Sequence, residues 1–183
     1  IHTVLEQIKA KGNEVTLEDI VYEGYNGVLC VEAGGPTPGI GCAGLGIISA
    51  FQKLAELRAF ETYQPDIVLY DVLGDVVCGG FAMPIRDGYA EHVFIVTSGE
   101  MMALFAASNI TRAVDNFKNR GFARESNNEL VQVIRRSDEV QKAEELGKTV
   151  IEAAPQAEIA QDYRQLADKM MEICERTGME KCV

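Results

Sequence analysis

The stretch DVLGDVVCGGFAMP, Asp71 to Pro84, constrains this chain more than any other. It follows Ile67-Val68-Leu69-Tyr70, an apolar, β-branched run that reads as a buried strand. A strand there delivers Asp71 to its C-terminal edge, where open α/β sheets bind ligands. Asp75 follows a glycine, and Cys78 stands directly before Gly79 and Gly80. Two acids and a thiol gathered so closely at a strand end point to chemistry.

A second glycine-rich stretch matches it. AGGPTPGIGCAGLG, Ala33 to Gly46, breaks regular structure and demands close backbone approach. The run before it, Gly27 to Glu32 (GVLCVE), reads as a short strand. The residues after it, Ile47, Ile48, Phe51, Leu54 and Leu57, have helical spacing, which puts Cys42 at or near a helix N-terminus. Exposed amides and the helix dipole favour an anionic thiolate there.

The rest of the chain reads as alternating elements. Thr3 to Lys11 is helical in its spacing of Val4, Leu5 and Ile8, and Leu17 to Ile20 reads as a short acidic turn. His92 to Thr97 reads as another buried strand, and Ser98-Gly99-Glu100 turns the chain into a long helix, Met101 to Asn119. Short strand, glycine turn and amphipathic helix in succession imply βαβ units and a mostly parallel sheet. From Gly121 to Arg136 the pattern falters. Helices are expected around Asp138 to Leu146 and Glu158 to Glu175, with Thr149-Val150-Ile151-Glu152 extended between them. Two or three strands are few for this much helix, so strands are expected to be absent from the 183 residues.

Length and charge set the outer bounds. A chain of 183 residues builds one domain with a substantial core. A net charge of −11 argues against nucleic acid or an anionic membrane as partner. No run reaches the roughly 18 apolar residues of a membrane span, and no signal peptide is visible at the start. The chain does not begin with Met, so its true start is expected upstream. Five cysteines (Cys30, Cys42, Cys78, Cys174 and Cys182) are odd in number and form no disulfide framework, which suits a reducing cytoplasm.

Two constellations carry chemistry. Cys42 and Cys78, each in a glycine-rich setting, suit iron–sulfur ligation. A [4Fe–4S] cluster takes four thiolates, and two copies related by a two-fold axis supply them. Buried cysteines acting as small hydrophobes are the other reading. Asp71, after an apolar strand, stands where a Walker-B acid holds Mg²⁺ or its water, and Asp75 is placed to act on an attacking water. Turn capping and solvation are the alternatives for this pair. A P-loop, G-x-x-x-x-G-K-[ST], should accompany such acids. Gly147-Lys148-Thr149 supplies its ending, but Lys142 occupies the earlier glycine position and the preceding pattern is helical, so this triplet is a decoy. Glu100, Met101 and Met102 are either a partner or nucleotide contact, or core. Phe81 is either an apolar shield for a cluster, or core.

At these residues the chain resembles a known family. CVEAGGPTPGIGCAGLGII (Cys30 to Ile48), YDVLGDVVCGGFAMPIR (Tyr70 to Arg86) and VTSGEMMALFAASNI (Val96 to Ile110) resemble the nitrogenase iron protein family and its nitrogenase-like relatives of tetrapyrrole reduction. RSDEVQKAEELGKTVIE (Arg136 to Glu152) extends the likeness. The resemblance implies an α/β fold, a three-layer P-loop NTPase-like domain with a mostly parallel sheet, spanning 1–183 as one incomplete domain. It implies a homodimer with one bridging [4Fe-4S] cluster, and MgATP bound to each subunit. Hydrolysis would gate electron transfer to a nitrogenase or nitrogenase-like catalytic protein, with ferredoxin or flavodoxin as upstream donor. The cluster ligands would be Cys42 and Cys78, with Gly41, Ala43, Gly79, Gly80 and Phe81 around them. Asp71 would be the acid near Mg²⁺ and Asp75 the residue acting on water.

The chain departs from that pattern in three ways. The P-loop strand and helix are missing, and so is the strand expected after Asn119. Leu45 stands where many nitrogenase iron proteins carry arginine. That arginine is a partner-surface residue and, in some organisms, a modification site, so Leu45 tilts the reading toward tetrapyrrole reduction. The missing P-loop motivates a third reading, a truncated module that dimerises and binds a cluster without hydrolysing ATP.

Overall fold

The computed structural model describes residues 1–35, 44–72, 74, 89–90, 92–119 and 130–176. The chain divides into two compact units, Ile1–Arg124 and Glu125–Cys182, taken here one at a time.

The first unit starts with a capped helix, α1 (Val4–Lys11). The Thr3 hydroxyl accepts from the Glu6 N–H at 3.2 Å, and the Glu6 carboxylate accepts from the Thr3 N–H at 3.0 Å. This reciprocal pair satisfies two otherwise orphaned amides. The N–H groups of Val4 and Leu5 donate instead to the carbonyls of Glu32 and Ala33, at 2.8 and 3.2 Å. The start of α1 is thereby joined to the chain just before the first glycine cluster. A second capping box, Thr16 with Asp19, starts the one-turn helix α2 (Leu17–Ile20), where the sequence suggested only a turn. Strands β1 (Tyr22–Glu23) and β2 (Leu29–Cys30) pair antiparallel through Tyr22↔Cys30 and Glu23↔Leu29. Asn26 at φ 56° and Gly27 at φ 81° turn the chain between them.

Helix α3 (Gly44–Glu56) follows the glycine cluster. Its Ala50 joins Val4, Val15 and Ile20 in the core of this unit, with Ile8, Leu54 and Leu57 packed around them. A short helix, α4 (Ala59–Tyr63), is set off by left-handed residues at both ends, Arg58 and Gln64. Helix α5 (Met101–Asn119) has the bounds its sequence pattern implies. Val114 on α5 centres a second cluster with Val72, Ala90, Ile110, Ala113 and Phe117.

Among the described residues, sheet structure is limited to β1 and β2. The expected strands Ile67–Tyr70 and His92–Thr97 have no ladder partner there. The first run still alternates as a strand does: Val68, Tyr70 and Val72 are half-buried while Leu69 and Asp71 are exposed. β-branched residues favour extended backbone, but a strand also needs a neighbour to take up its amides and carbonyls.

The second unit is helical. α6 (Asp138–Glu145) starts at Ser137, whose hydroxyl accepts from the Glu139 N–H. Gly147, at φ 66°, ends it, and the Lys148 N–H returns to the Ala143 carbonyl at 3.0 Å. Thr149 then caps α7 (Val150–Ala153). The triplet Gly147-Lys148-Thr149 is thus a link between helices, stop and start in three residues. The extended piece expected at 149–152 is a helix instead, because the Thr149 cap overrides the β preference of Val150 and Ile151. α8 (Glu158–Arg176) packs Ile159 with Ala143 and Val150 to form this unit's core. Cys174, buried on α8, is disulfide-bonded, whereas the cysteine spacing suggested no disulfide framework. No described helix is long and apolar enough to cross a membrane.

Segment 130–136 runs along α8 and is tied to it by polar contacts. The Arg135 guanidinium forks onto buried Asp162, Nε to Oδ2 at 2.7 Å and Nη2 to Oδ1 at 3.1 Å, and also reaches Glu158. Lys169 donates to the Val131 carbonyl and the Gln132 side chain, both at 2.7 Å. The fork holds the Asp162 carboxyl below the usual carboxylate range. A lowered folded value means a contribution that is full above the unfolded-state value of about 3.9 and is lost as pH falls through the folded value. Asp162→Asn should therefore lower urea stability at neutral pH, and the gap from wild type should close as the titration is carried below about pH 3.9.

Candidate functional site

Of the residues singled out from sequence, Asp71 lies within the described part of the structure. Gly41, Cys42, Ala43, Asp75, Cys78, Gly79, Gly80 and Phe81 lie outside the described residues. The described flanks of both segments can still be built from the residues upward.

The first flank is a backbone stack. Gly34, at φ 81°, lies over the helix cap, so that a β-carbon on it would meet the Thr3 hydroxyl oxygen at 2.6 Å. Gly46, in the first turn of α3, lies on Gly34 in turn, and a β-carbon there would collide with the Gly34 carbonyl oxygen. The cap of α1, the chain at Gly34 and the first turn of α3 are thus in contact with no room for side chains between them. Residues 36–43, with Cys42 among them, leave and rejoin the described fold at this stack. Cys42 stands two residues before α3 begins at Gly44.

Aromatic packing holds the second flank. Phe51 on α3 is buried, and two tyrosines lean on it. Tyr70 lies 5.1 Å away centroid to centroid, tilted by 42°, and Tyr89 lies 4.8 Å away, tilted by 43°. Both geometries fall in the favoured tilted range. Phe60 of α4 stacks on Tyr89 at 6.5 Å. Val72 and Ala90 pack against Val114 of α5. The chain that carries Asp75 and Cys78 therefore leaves from Tyr70–Val72 and returns at Tyr89–Ala90, its two ends held on the same pair of helices. Asp71 sits between the inward-packed Tyr70 and Val72 and is exposed. An extended backbone that buries its neighbours turns the Asp71 carboxylate to solvent, where a cation or its water shell can reach it.

Sequence reasoning missed Phe51, Tyr70, Tyr89 and Gly46. Phe51 reads as one more apolar position in a helical stripe, and nothing in that periodicity shows that it meets two tyrosines. Glu100, Met101 and Met102 were open between contact surface and core. Met101 and Met102 are 81% and 75% exposed, which removes the core reading. Leu104 and Phe105 are exposed beside them. Cys30 is an exposed free thiol on β2. Among the described residues no three of His, Cys, Asp and Glu are grouped to hold a metal ion.

The chain is similar to known proteins along most of its length. The family model described as "4Fe-4S iron sulfur cluster binding proteins, NifH/frxC family" matches residues 1–124 and 120–179. The nitrogenase iron protein of Methanospirillum hungatei is 46% identical over 197 residues, covering 93% of this chain and 69% of that protein. That of Methanococcus voltae is 43% identical over 196 residues, covering 94% and 70%. Nitrogenase iron protein 2 of Methanothermococcus thermolithotrophicus is 42% identical over 212 residues, covering 97% and 73%. An aligned length of 197 exceeds the 183 residues of this chain, so the alignment crosses positions that the relative has and this chain lacks. The two matched pieces of the family model meet at 120–124, where the sequence pattern lost an expected strand and where the two compact units divide.

Burial pushes the Tyr70 phenol up to about 12, and nearby Tyr89 adds to the shift. A raised folded value means that neutral Tyr70 contributes stability in full below the unfolded-state value of about 10, and loses it as pH rises toward the folded one. Phenolate absorbance followed through an alkaline titration should show one of the six tyrosines ionising last, and Tyr70→Phe should remove that step.

Proposed function

Because the chain belongs to the NifH/frxC family of 4Fe-4S iron–sulfur cluster binding proteins, we propose that it is the electron-donating reductase component of a nitrogenase or nitrogenase-like system. In this reading it forms a homodimer, carries one [4Fe-4S] cluster between its two copies, and couples MgATP hydrolysis to electron delivery. Its partner is a nitrogenase-like catalytic protein, and a small cytoplasmic donor such as a ferredoxin or flavodoxin reduces it. The chain is one iron-protein-like domain of the P-loop NTPase class, built as three layers around a mostly parallel sheet.

The donor set fits the cluster. Two thiolates per copy, Cys42 and Cys78, become four across a two-fold axis, the number that a [4Fe–4S] cluster takes. Cys42 stands two residues before α3 begins at Gly44, and the amides of a helix start favour an ionised thiol near them. Glycines at 41, 79 and 80 would leave room for backbone N–H groups to approach sulfur, and Ala43 and Phe81 would add apolar surface beside it. When bound, the cluster supplies a one-electron carrier.

The remaining work falls to the chain's own acids. Asp71 offers an exposed carboxylate for Mg²⁺ or its water. Asp75 positions the water that attacks the terminal phosphate and takes its proton. Asp71, Asp75 and Cys78 share one short stretch of chain, so a displacement at the acids reaches the thiolate through backbone alone. The phosphate-cradling motif is not found in these 183 residues, and the one triplet that resembles it links α6 to α7.

The observation that carries the proposal is the family match, which spans the two cysteines and the two acids. Anaerobic reconstitution with iron and sulfide should give a brown protein with about four irons per dimer. Cys42→Ala and Cys78→Ala should each abolish the colour, and Cys30→Ala should keep it. A wild-type chain that stays colourless would overturn the reading.

A further inference from the structure

We propose that residues 130–136 form a releasable strap, latched along one face of α8 by the Arg135 fork, which opens as a unit while α6, α7 and α8 stay folded. The proposal concerns the second unit alone and does not depend on the reading of the cysteines.

The ties of the strap come from a single stripe of the helix. Glu158, Asp162, Gln165 and Lys169 stand at i, i+4, i+7 and i+11, the spacing of one helix face. Arg135 meets Glu158 and Asp162, and the Gln132 amide donates to Gln165 at 3.1 Å. Lys169 closes the far end on Gln132 and on the Val131 carbonyl. The strap therefore runs antiparallel to α8, and its register suits both geometries. From Arg135 to Gln132 is about 10 Å of extended chain. From Glu158 to Gln165, and from Asp162 to Lys169, is about the same distance along a helix.

Little else holds it. Among the described residues, 130–135 make no backbone–backbone hydrogen bond. Ile134 touches the apolar core of this unit, while Leu130 and Val133 are 79% and 70% exposed. That core is Ala143, Val150 and Ile159, with Val140, Ile151 and Tyr163 around them, so the three helices supply it themselves. A segment with few apolar contacts, lying on a core that closes without it, opens at less cost than the whole unit. The Arg135 side chain is already half-exposed and that of Asp162 is buried. Opening returns this one carboxylate to water and strands no charge inside. It also uncovers the stripe on α8 and moves the first fixed residue of the unit from Val131 to Ser137, whose cap on α6 is made with Glu139.

The test is limited trypsin digestion of the full folded chain, with cuts mapped by mass spectrometry, under conditions where cleavage follows the population of the open form. Cuts after Arg135 and Arg136 report the strap, and the cut after Arg164, inside α8, reports the helices. In wild type the strap cuts should come first, about tenfold or more ahead of the cut at Arg164. Val150→Ala weakens the core in the latched and the open form alike. It should speed the Arg164 cut about tenfold and leave the strap cuts within about twofold of wild type. Asp162→Asn weakens only the latched form and should speed the strap cuts about tenfold, as expected for a charge-assisted pair. Lys169→Ala, which removes the other end of the latch, should speed them severalfold. Strap cuts that rise with Val150→Ala as much as the Arg164 cut does would show that the segment leaves only when the unit unfolds, and would overturn the proposal. So would strap cuts that neither Asp162→Asn nor Lys169→Ala accelerates. If Val150→Ala fails to fold, judged by far-ultraviolet circular dichroism, the milder Ile159→Val takes its place and decides.

Discussion

Gly46 has a carbonyl oxygen where any other residue would have a side chain, and much of the first unit is arranged around that fact. The contact brings α3 onto the chain at Gly34. The chain at Gly34 lies on Thr3, whose hydroxyl caps α1. α1 in turn donates its first amides to Glu32 and Ala33, closing a ring of contacts made by backbone and by the short side chain of Thr3. Val4 and Ala50 can share a core because this ring holds α1 and α3 together. Hydrophobic burial supplies the driving force there, but backbone geometry sets the register at which it acts.

Local signals were the readable part of the sequence. α5 was legible in full because a glycine turn, a helical stripe and a run of good helix formers agree over five turns. α1 was legible in the helical spacing of Val4, Leu5 and Ile8, and the structure adds the Thr3–Glu6 capping box that starts it. Strands were harder. Ile67–Tyr70 has the composition and the alternating burial of a strand, yet a ladder depends on a partner that local pattern does not specify. At Thr149 to Glu152 the composition misled outright, because one capping threonine outweighs two β-branched residues in a four-residue helix.

The residue types of the candidate site could be read from the sequence, and the packing at its described flanks could not. Acids after an apolar run and cysteines among glycines are visible to anyone who reads residue types. That Tyr70 and Tyr89, nineteen positions apart, meet on one phenylalanine is a long-range fact, and no periodicity encodes it. The Gly147-Lys148-Thr149 triplet shows the opposite case, a pattern with a chemical reputation used as plain helix punctuation. Context decided it in the sequence, since a helical run precedes it, and the φ of 66° at Gly147 gives the reason.

The convergence of Tyr70 with Tyr89 on α3, and of Val72 with Ala90 on α5, bears on how such a chain can change over generations. Both ends of the intervening chain are pinned, and the entropy of bringing two ends of a chain together grows slowly, by about 0.6 kcal/mol for each doubling of length. Chain added between the two anchors therefore costs little by that measure, and Phe51 and Val114 lie outside it. Selection can act on the residues between the anchors apart from those of the anchors themselves, so the demands of foldability and of chemistry can fall on different residues.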